Sequence, residues 1–167
     1  MIVYTESKKG FTNDVLSNKI EDKIIIEFEK RFGKANQAEI RSWKNSMVYM
    51  NNILMNSKVP DNSNVAIEYQ VPNTSKRVDF IISGLDSKKE DTVIIVELKQ
   101  WDKALKTNKD GIVKSYVGGA ERELVHPSHQ AYTYAKLITE YNETVRKDNI
   151  HIYPCTYLHN YKNNNID

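Results

Sequence analysis

The sequence predicts an α+β fold in which helices pack on a mixed central sheet. Two stretches with apolar residues every three or four positions come first, as in amphipathic helices. Three apolar stretches rich in β-branched residues and joined by short polar links follow, as in a strand meander. A hairpin, a third helical stretch and a last strand complete the order. The length of 167 residues corresponds to one domain with one core.

Composition narrows the class of protein. The chain is 40% hydrophobic and 28% charged, an ordinary globular mixture. A net charge of +2 neither requires nor excludes nucleic acid, so any cationic surface must be local. The single Cys155 and four scattered histidines offer no zinc-ligand spacing. We therefore expect a cytoplasmic protein with no membrane partner, because no apolar run has the length of a membrane helix and the N-terminus lacks a signal peptide pattern.

Two helices are predicted before the sheet. The first covers 13–32, because apolar residues recur every fourth position from Ile20 and Gly33 follows the last of them. The second covers 37–56, with a narrow apolar stripe of Ile40, Trp43, Met47, Met50 and Leu54. Glu39 falls within the angular range of that stripe, an unexpected place for an acid.

The next elements are strands. Strands are predicted over 65–71, 77–82 and 93–100, with a ten-residue polar loop over 83–92, and their short links favour antiparallel pairing. A hairpin turning at Gly118-Gly119 is predicted over 111–125, outside the main sheet. A helix from Pro127 or Ser128 to about 146 and a strand over 150–158 end the order, and Pro154 makes that strand an edge or bulged strand.

The stretch VIIVELKQW, residues 93–101, ends a buried strand with a carboxylate and an amine. If the strands on either side of the polar loop pair antiparallel about Lys88, Asp79 faces Glu97, since both lie equally far from Lys88. Strand alternation then places Lys99 on the same face as Glu97 and Asp79.

Two carboxylates on adjacent strands repel each other unless a cation or a proton lies between them. Mg²⁺ binds one or two protein carboxylates and leaves positions for phosphate oxygens, and Lys99 adds a charge for a phosphate or a hydroxide. The triplet therefore favours phosphodiester hydrolysis, in which metal-activated water is a common nucleophile. The alternative is an ion-pair ladder at a sheet end, with Arg77 offsetting one acid. Spacing alone leaves both interpretations open.

Asp79 and the Glu97-Leu98-Lys99 triplet, with the apolar runs around them, resemble the PD-(D/E)XK nuclease superfamily. Gln130 and Tyr134 resemble the glutamine-x-x-x-tyrosine motif of its RecB-like branch. More narrowly, five segments resemble the nuclease-like region that precedes a Schlafen-like superfamily 1 helicase module in bacterial proteins: EIRSWKNSM, NTSKRVDFIISG, VIIVELKQW, HPSHQAY and CTYLHNY. The chain departs from the family pattern at Val78, where many members have proline.

The resemblance implies a restriction-endonuclease-like αβββαβ core over 37–158, with 1–36 as an N-terminal extension, within a single domain spanning 1–167. It also implies a helicase module in the full-length protein, so that this chain is either a fragment or a stand-alone relative. The implied activity is a metal-dependent nuclease that uses Mg²⁺ or Mn²⁺ and acts on DNA rather than RNA. A catalytically silent nucleic-acid-binding or docking module stays open, because members of the superfamily can keep the fold and lose turnover.

The resemblance also implies roles for individual residues. Asp79 and Glu97 would hold the metal, with the Leu98 carbonyl as a further ligand and Glu39 binding through water. Lys99 would act on the nucleophile or the phosphate. Gln130 and Tyr134, one helical turn apart, would orient Lys99 or a substrate phosphate.

Several further residues suit nucleic acid contacts. Trp101 is a candidate for base stacking, whereas Trp43 belongs to the helix stripe and is expected in the core. His126 and His129 flank a helix start, where a structural role in the turn competes with phosphate binding. A basic stretch after the triplet suits either a solvated face or a nucleic-acid backbone, and it comprises Lys99, Lys103, Lys106, Lys109 and Lys114.

Overall fold

The structure, a computed structural model, describes residues 1–162 and contains two sheets and five helices in that range. The strands are β1 (Ile2–Ser7), β2 (Asn64–Gln70), β3 (Arg77–Leu85), β4 (Asp91–Lys99), β5 (Leu105–Lys106), β6 (Ile112–Val117), β7 (Ala120–Val125) and β8 (His151–Leu158). The helices are α1 (Lys8–Leu16), α2 (Ile20–Phe32), α3 (Gln37–Met55), α4 (Pro127–Tyr141) and α5 (Glu143–Lys147).

The main sheet has five strands in the order β1-β2-β3-β4-β8. Its neighbours are antiparallel except β4 and β8, which are parallel, so the sheet is mixed as predicted. The prediction of an edge strand near Pro154 is confirmed, because β8 is the last strand of this order. The chain reaches β8 from β4 through the small sheet β5-β6-β7 and then α4, which provides the crossover that a parallel pair requires.

Helices cover both faces of the main sheet. Helices α1, α2 and α3 pack on one face, where Phe11, Phe28 and Phe80 belong to a continuous apolar cluster. Helices α4 and α5 pack on the other face, around Tyr134 and Ile138. Strand β4 contributes to both clusters, which explains its nearly continuous apolar sequence.

Helix α3 and the hairpin agree closely with their predictions. Helix α3 begins with a capping box, in which the Asn36 side chain accepts the N–H of Glu39 and the Glu39 side chain accepts the N–H of Asn36. The hairpin β6–β7 turns at Gly118 and Gly119, whose φ angles of 62° and 83° are the left-handed values that its turn requires. It lies in the small sheet, outside the main one.

The prediction of a single helix over 13–32 is wrong. The chain enters the main sheet at β1, which pairs with β2, and then forms α1 and α2. The two helices separate at Asn18, which has a left-handed φ of 57°. The extension predicted over 1–36 therefore contributes a strand to the main sheet and buries Phe11 in the same cluster as Trp43.

Two other boundaries also differ from prediction. The loop predicted over 83–92 is shorter, because β3 continues to Leu85 and the Asp86 side chain accepts the N–H groups of Lys88 and Glu90 in a compact turn. The helix predicted to reach about 146 is divided at Asn142, whose side chain caps α5 by accepting the N–H of Val145. Among residues 1–162, no helix has the length and apolar character needed to span a membrane.

Packing between α1 and the sheet should dominate stability on this face. Phe11 is fully buried, with its ring centroid 5.3 Å from that of Phe80. We expect Phe11→Ala to lower the free energy of unfolding by about 3 to 5 kcal/mol, measured by urea denaturation, since it leaves a cavity. Leu16→Ala on the same helix is the control, because Leu16 is 63% exposed and a surface change costs about 0.5 kcal/mol or less. Equal losses in both variants would contradict this packing.

Candidate active site

The register of β3 and β4 brings Asp79 and Glu97 together. Phe80 pairs with Val96 and Ile81 pairs with Ile95, which is the register predicted from the centre at Lys88. Asp79 and Glu97 occupy the next position of the ladder beyond the Phe80–Val96 pair, near the C-terminal end of β4. There the Asp79 Oδ2 accepts the backbone N–H of Leu98 at 2.8 Å. The predicted neighbourhood of the two acids is confirmed.

Glu97 is the most buried charged side chain of this group, with 2% of its surface exposed. Its Oε1 atom accepts hydrogen bonds from the Lys99 Nζ and the Gln130 Nε2, both at 2.6 Å. Its Oε2 atom is buried and has no hydrogen-bond partner among the residues that the structure describes. A buried carboxylate oxygen without a partner is costly, so this atom has an unmet need for a proton or a cation.

Helix α4 supplies two of the predicted residues. The Gln130 Nε2 lies 2.9 Å from the Tyr134 hydroxyl oxygen as well as contacting Glu97. Tyr134 is buried, and burial raises the pKa of its hydroxyl, with the Glu97 charge adding to the effect. Gln130 and Tyr134 therefore reach the site as predicted, and they do so through Glu97 rather than through Lys99.

Glu68 is an additional acid that the sequence reasoning missed. It lies on β2 between the Ile67–Phe80 and Tyr69–Val78 pairs and thus beside Asp79. Its Oε1 accepts the indole N–H of Trp43 at 2.9 Å, and its Oε2 accepts the Arg77 Nε at 2.6 Å. The left-handed φ of 54° at Glu68 is unfavourable for a residue with a side chain, which marks a locally strained strand.

Glu39 joins this group only through Arg77. Its Oε1 accepts a hydrogen bond from the Arg77 Nη2 at 2.8 Å. Its Oε2 accepts hydrogen bonds from the backbone N–H and the side-chain amide of Asn36. Arg77 also lies over the rings of Phe28 and Phe32, at 4.9 and 5.4 Å from the centroids. Both Glu39 oxygens therefore have structural partners, and metal binding through water stays a prediction for this residue.

The two central acids strongly influence each other. Burial raises the pKa of Asp79 well above its usual range, and the charges of Glu97 and Glu68 raise it further, while the Leu98 N–H and the Lys99 charge oppose the shift. Burial also raises the pKa of Glu97, with a smaller contribution from the Glu68 charge, while the Lys99 charge and hydrogen bond and the neighbouring Asp79 carboxyl lower it. Two charged carboxylates are thus unfavourable here without a further positive charge.

The donor set fits a hard divalent cation that keeps much of its water. Within residues 1–162, no group of three or more Asp, Glu, His or Cys side chains is arranged to hold a metal ion. The available donors are instead the two carboxylates of Asp79 and Glu97, with the orphaned Oε2 of Glu97 among them. Mg²⁺ commonly binds through one or two carboxylates plus water and substrate oxygens, whereas a structural zinc site needs four protein ligands.

The end of β4 is fixed by helix α3 and by the turn that follows β8. The backbone N–H of His159 donates to the Lys99 carbonyl, and the His159 Nε2 lies 3.1 Å from the Ser46 Oγ of α3. The Tyr49 ring stacks on the His159 ring with centroids 4.4 Å apart. Asn160 donates to the Gln100 carbonyl. These contacts hold the backbone that carries Lys99 against α3.

A cleft of about 600 Å³ opens beside Asp79, which lines it, whereas the buried Glu97 does not. Helix α3, the end of β4 and the tip of the β6–β7 hairpin form its walls, and its lining includes Arg41, Asp79, Leu98, Lys99, Trp101 and Tyr116. Trp101 is only 8% exposed, so the prediction that it offers a face for base stacking is wrong. The Lys99 Nζ lies over the Trp101 ring, 5.8 Å from the ring centroid. Trp43 is core, as predicted.

The remaining sequence candidates have structural roles or lie on the surface. His126 caps α4 by accepting the N–H of Ser128, which confirms the turn interpretation, and His129 is exposed on the same helix. In the basic stretch, Lys109 pairs with Glu123 at 2.5 Å and Lys103 lies 4.0 Å from Glu121. A continuous cationic track is therefore interrupted by acids on β7.

Comparisons with known proteins add no relative. The chain matches no family model, no curated protein and no solved structure. The residues of the site are therefore the basis for assigning a function.

The repulsion between the acids can be tested through stability without metal. A raised pKa in the folded state stabilises the fold below the ordinary Asp value of 3.8, and this contribution is lost as the pH rises through the folded-state pKa. Asp79→Asn cannot ionise and keeps an oxygen for the Leu98 N–H. We expect its melting temperature in chelator at about pH 8 to exceed the wild-type value by roughly 2 to 4 °C.

This difference should shrink as the pH falls toward 3.8, because both states of the wild type then hold the proton. Asp110→Asn, at an exposed position of the β5–β6 loop, is the control and should leave the melting temperature unchanged. A lower melting temperature for Asp79→Asn at the higher pH would indicate a stabilising charge ladder instead.

Proposed function

We propose that this protein is a metal-dependent nuclease that hydrolyses phosphodiester bonds of nucleic acid at Asp79, Glu97 and Lys99. The observation that carries the proposal is the buried Oε2 of Glu97, which has no hydrogen-bond partner among the described residues and lies beside Asp79, whose pKa is raised by burial and then by the neighbouring acids. A site that needs a cation and opens into a cleft lined by Lys99 and Arg41 suits a phosphate substrate.

The order of elements also supports the proposal. Helix α3, the antiparallel strands β2, β3 and β4, helix α4 and the parallel strand β8 follow one another as expected for a restriction-endonuclease-like core. Asp79, the Glu97-Leu98-Lys99 triplet and the Gln130–Tyr134 pair occupy the elements on which the PD-(D/E)XK resemblance requires them. The preference for DNA over RNA, and the link to a helicase, rest on that resemblance alone.

In this proposal, each side chain has a separate task. Asp79 and Glu97 hold Mg²⁺ or Mn²⁺, with the Leu98 carbonyl as a further donor, and the ion supplies Lewis acidity and an activated water when bound. Gln130 donates to the Oε1 of Glu97 and so holds its carboxylate, while Oε2, which has no hydrogen-bond partner among the described residues, would be a donor to the ion. Lys99 presents a cation at the cleft, where it stabilises the charge that develops on the phosphate.

A second candidate function is a nucleic-acid-binding module without turnover. One observation favours it, because the described residues contain no metal-binding group of three or more side chains. Such a module would retain the cleft and its cations and would dispense with the ion. The charge-ladder alternative retains the Lys99–Glu97 pair at 2.6 Å. It is weaker for the other two residues, because Arg77 pairs with Glu68 and Glu39, while Asp79 accepts a backbone N–H.

Cleavage assays distinguish these functions. The wild-type protein should cleave labelled DNA with Mn²⁺ and lose activity in chelator. We expect Glu97→Gln, Asp79→Asn and Lys99→Ala each to lower the cleavage rate by at least about 100-fold, since each removes a charge from the reacting centre. The readout is the initial rate of product formation resolved on denaturing gels.

Matched controls come from α5. Glu143→Gln and Lys147→Ala alter an exposed pair, with side chains 68% and 70% exposed, and should keep the wild-type rate. Unchanged cleavage in all three site variants would assign the activity elsewhere. Absence of cleavage in every protein and with every nucleic acid would favour the binding module.

Gln130 offers a separate test of Glu97 positioning. Gln130→Leu removes the amide that donates to Glu97 while keeping a side chain of similar length. We expect a roughly 10-fold to 100-fold slower rate and a higher Mn²⁺ concentration for half-maximal activity, because outer contacts tune metal affinity on that scale. A slower rate at an unchanged Mn²⁺ requirement would contradict a positioning role through Glu97.

A further inference from the structure

We propose that the cleft lined by Asp79 and Lys99 binds single-stranded nucleic acid and that Tyr116 stacks on an unpaired base of the bound strand. This inference rests on the proposed function, since it names the substrate class of the same site. It depends on three features of the cleft: an exposed aromatic ring, an excess of cationic side chains and continuity with Asp79.

The aromatic ring belongs to Tyr116, which lies near the tip of the β6–β7 hairpin and lines the cleft. Tyr116 is 61% exposed, in contrast to the buried Trp101, which also lines the cleft. Its hydroxyl donates a hydrogen bond to the Gly119 carbonyl at 2.8 Å, which holds the ring against the turn. A fixed ring with an open face is a stacking platform, and stacking is sequence-tolerant because every base has a π-face.

Charge in the cleft favours a polyanion. The residues that line the cleft include two cationic ones, Arg41 and Lys99. Asp79 is the single acidic residue of this lining within the described part of the chain. Asn45 and Gln100 line the same surface and add amide groups that can contact sugars or phosphates.

The arrangement favours a single strand over a duplex. Base faces in a duplex are covered by their neighbours, so an exposed ring can stack only on an unpaired base or at an end. The acids on β7 interrupt the cationic surface outside the cleft, which removes the broad basic face that duplex backbones commonly contact. Because Asp79, Leu98 and Lys99 line the same cleft, a strand bound there passes the proposed reacting centre.

The inference can be tested by binding alone, without metal. Fluorescence anisotropy in chelator should show that the wild-type protein binds a labelled single-stranded oligonucleotide of about 12 nucleotides, a length within the range of known single-strand sites. DNA and RNA oligonucleotides are tested separately, so that the affinities for the two kinds of strand can be compared. Each is compared with its own duplex, and we expect the single strand to bind at least about tenfold more tightly.

The variants address Tyr116 and Arg41 separately. Tyr116→Ala should weaken single-strand binding about tenfold, whereas Tyr116→Phe keeps the ring and should stay near the wild type. Arg41→Ala should reduce the slope of log affinity against log salt by about 0.7, the value for one phosphate contact on a single strand. Tyr141→Ala and Arg146→Ala change exposed residues outside the cleft and serve as matched controls.

Duplex binding as tight as single-strand binding would overturn the inference, and so would wild-type affinity in Tyr116→Ala. The proposed function fails in a different way, namely through the absence of cleavage with Mn²⁺. Selective, Tyr116-dependent single-strand binding without any cleavage would retain the inference and reject the nuclease. Metal-dependent cleavage that is lost in Glu97→Gln and unchanged in Tyr116→Ala would retain the nuclease and reject the stacking role of Tyr116.

Discussion

The forced proximity of Asp79 and Glu97 is the constraint on which the rest of this structure depends. Burial and the charge of Glu97 oppose ionisation of Asp79, whereas the neighbouring Asp79 carboxyl favours the charged form of Glu97. The protein meets part of this cost with the Leu98 N–H, the Lys99 ammonium and the Gln130 amide. Among residues 1–162, the Glu97 Oε2 has no hydrogen-bond partner, so this oxygen is left uncompensated.

The surrounding fold keeps these groups in place from both sides. On one face, Trp43 and Arg77 bind Glu68 and hold the strained strand that borders Asp79. On the other face, α4 carries the Gln130 amide to Glu97. His159 secures the Lys99 carbonyl at the end of β4. Side chains set on packed strands and helices have little freedom to move apart, which is how an unfavourable charge arrangement persists.

Much of this arrangement could be predicted from local sequence patterns. The β3–β4 register followed from the symmetry of the two apolar runs about Lys88. The position of Gln130 and Tyr134 at the site was implied only by the resemblance to the RecB-like motif. The N-terminal strand was missed because IVYTES is short and its pairing with β2 joins distant parts of the chain. Such long-range pairing leaves no periodicity in the sequence that could reveal it.

Glu68 shows a different limit of sequence reasoning. Strand alternation places Ile67 and Glu68 on opposite faces, yet both are buried, because a left-handed φ at Glu68 interrupts the alternation. A charged residue within an apolar strand was the one available signal, and it did not indicate a partner. The prediction for Trp101 failed for a similar reason, because an aromatic residue after a strand can either face solvent or pack under a neighbouring lysine.

Isothermal titration calorimetry of the metal-free protein with Mn²⁺ tests the central claim most directly, because it measures cation binding independently of turnover. The account predicts saturable binding to the wild type that is lost in both Asp79→Asn and Glu97→Gln and retained in Glu143→Gln. Absence of Mn²⁺ binding to the folded wild type, or equal binding in all four proteins, would contradict a cation site between Asp79 and Glu97.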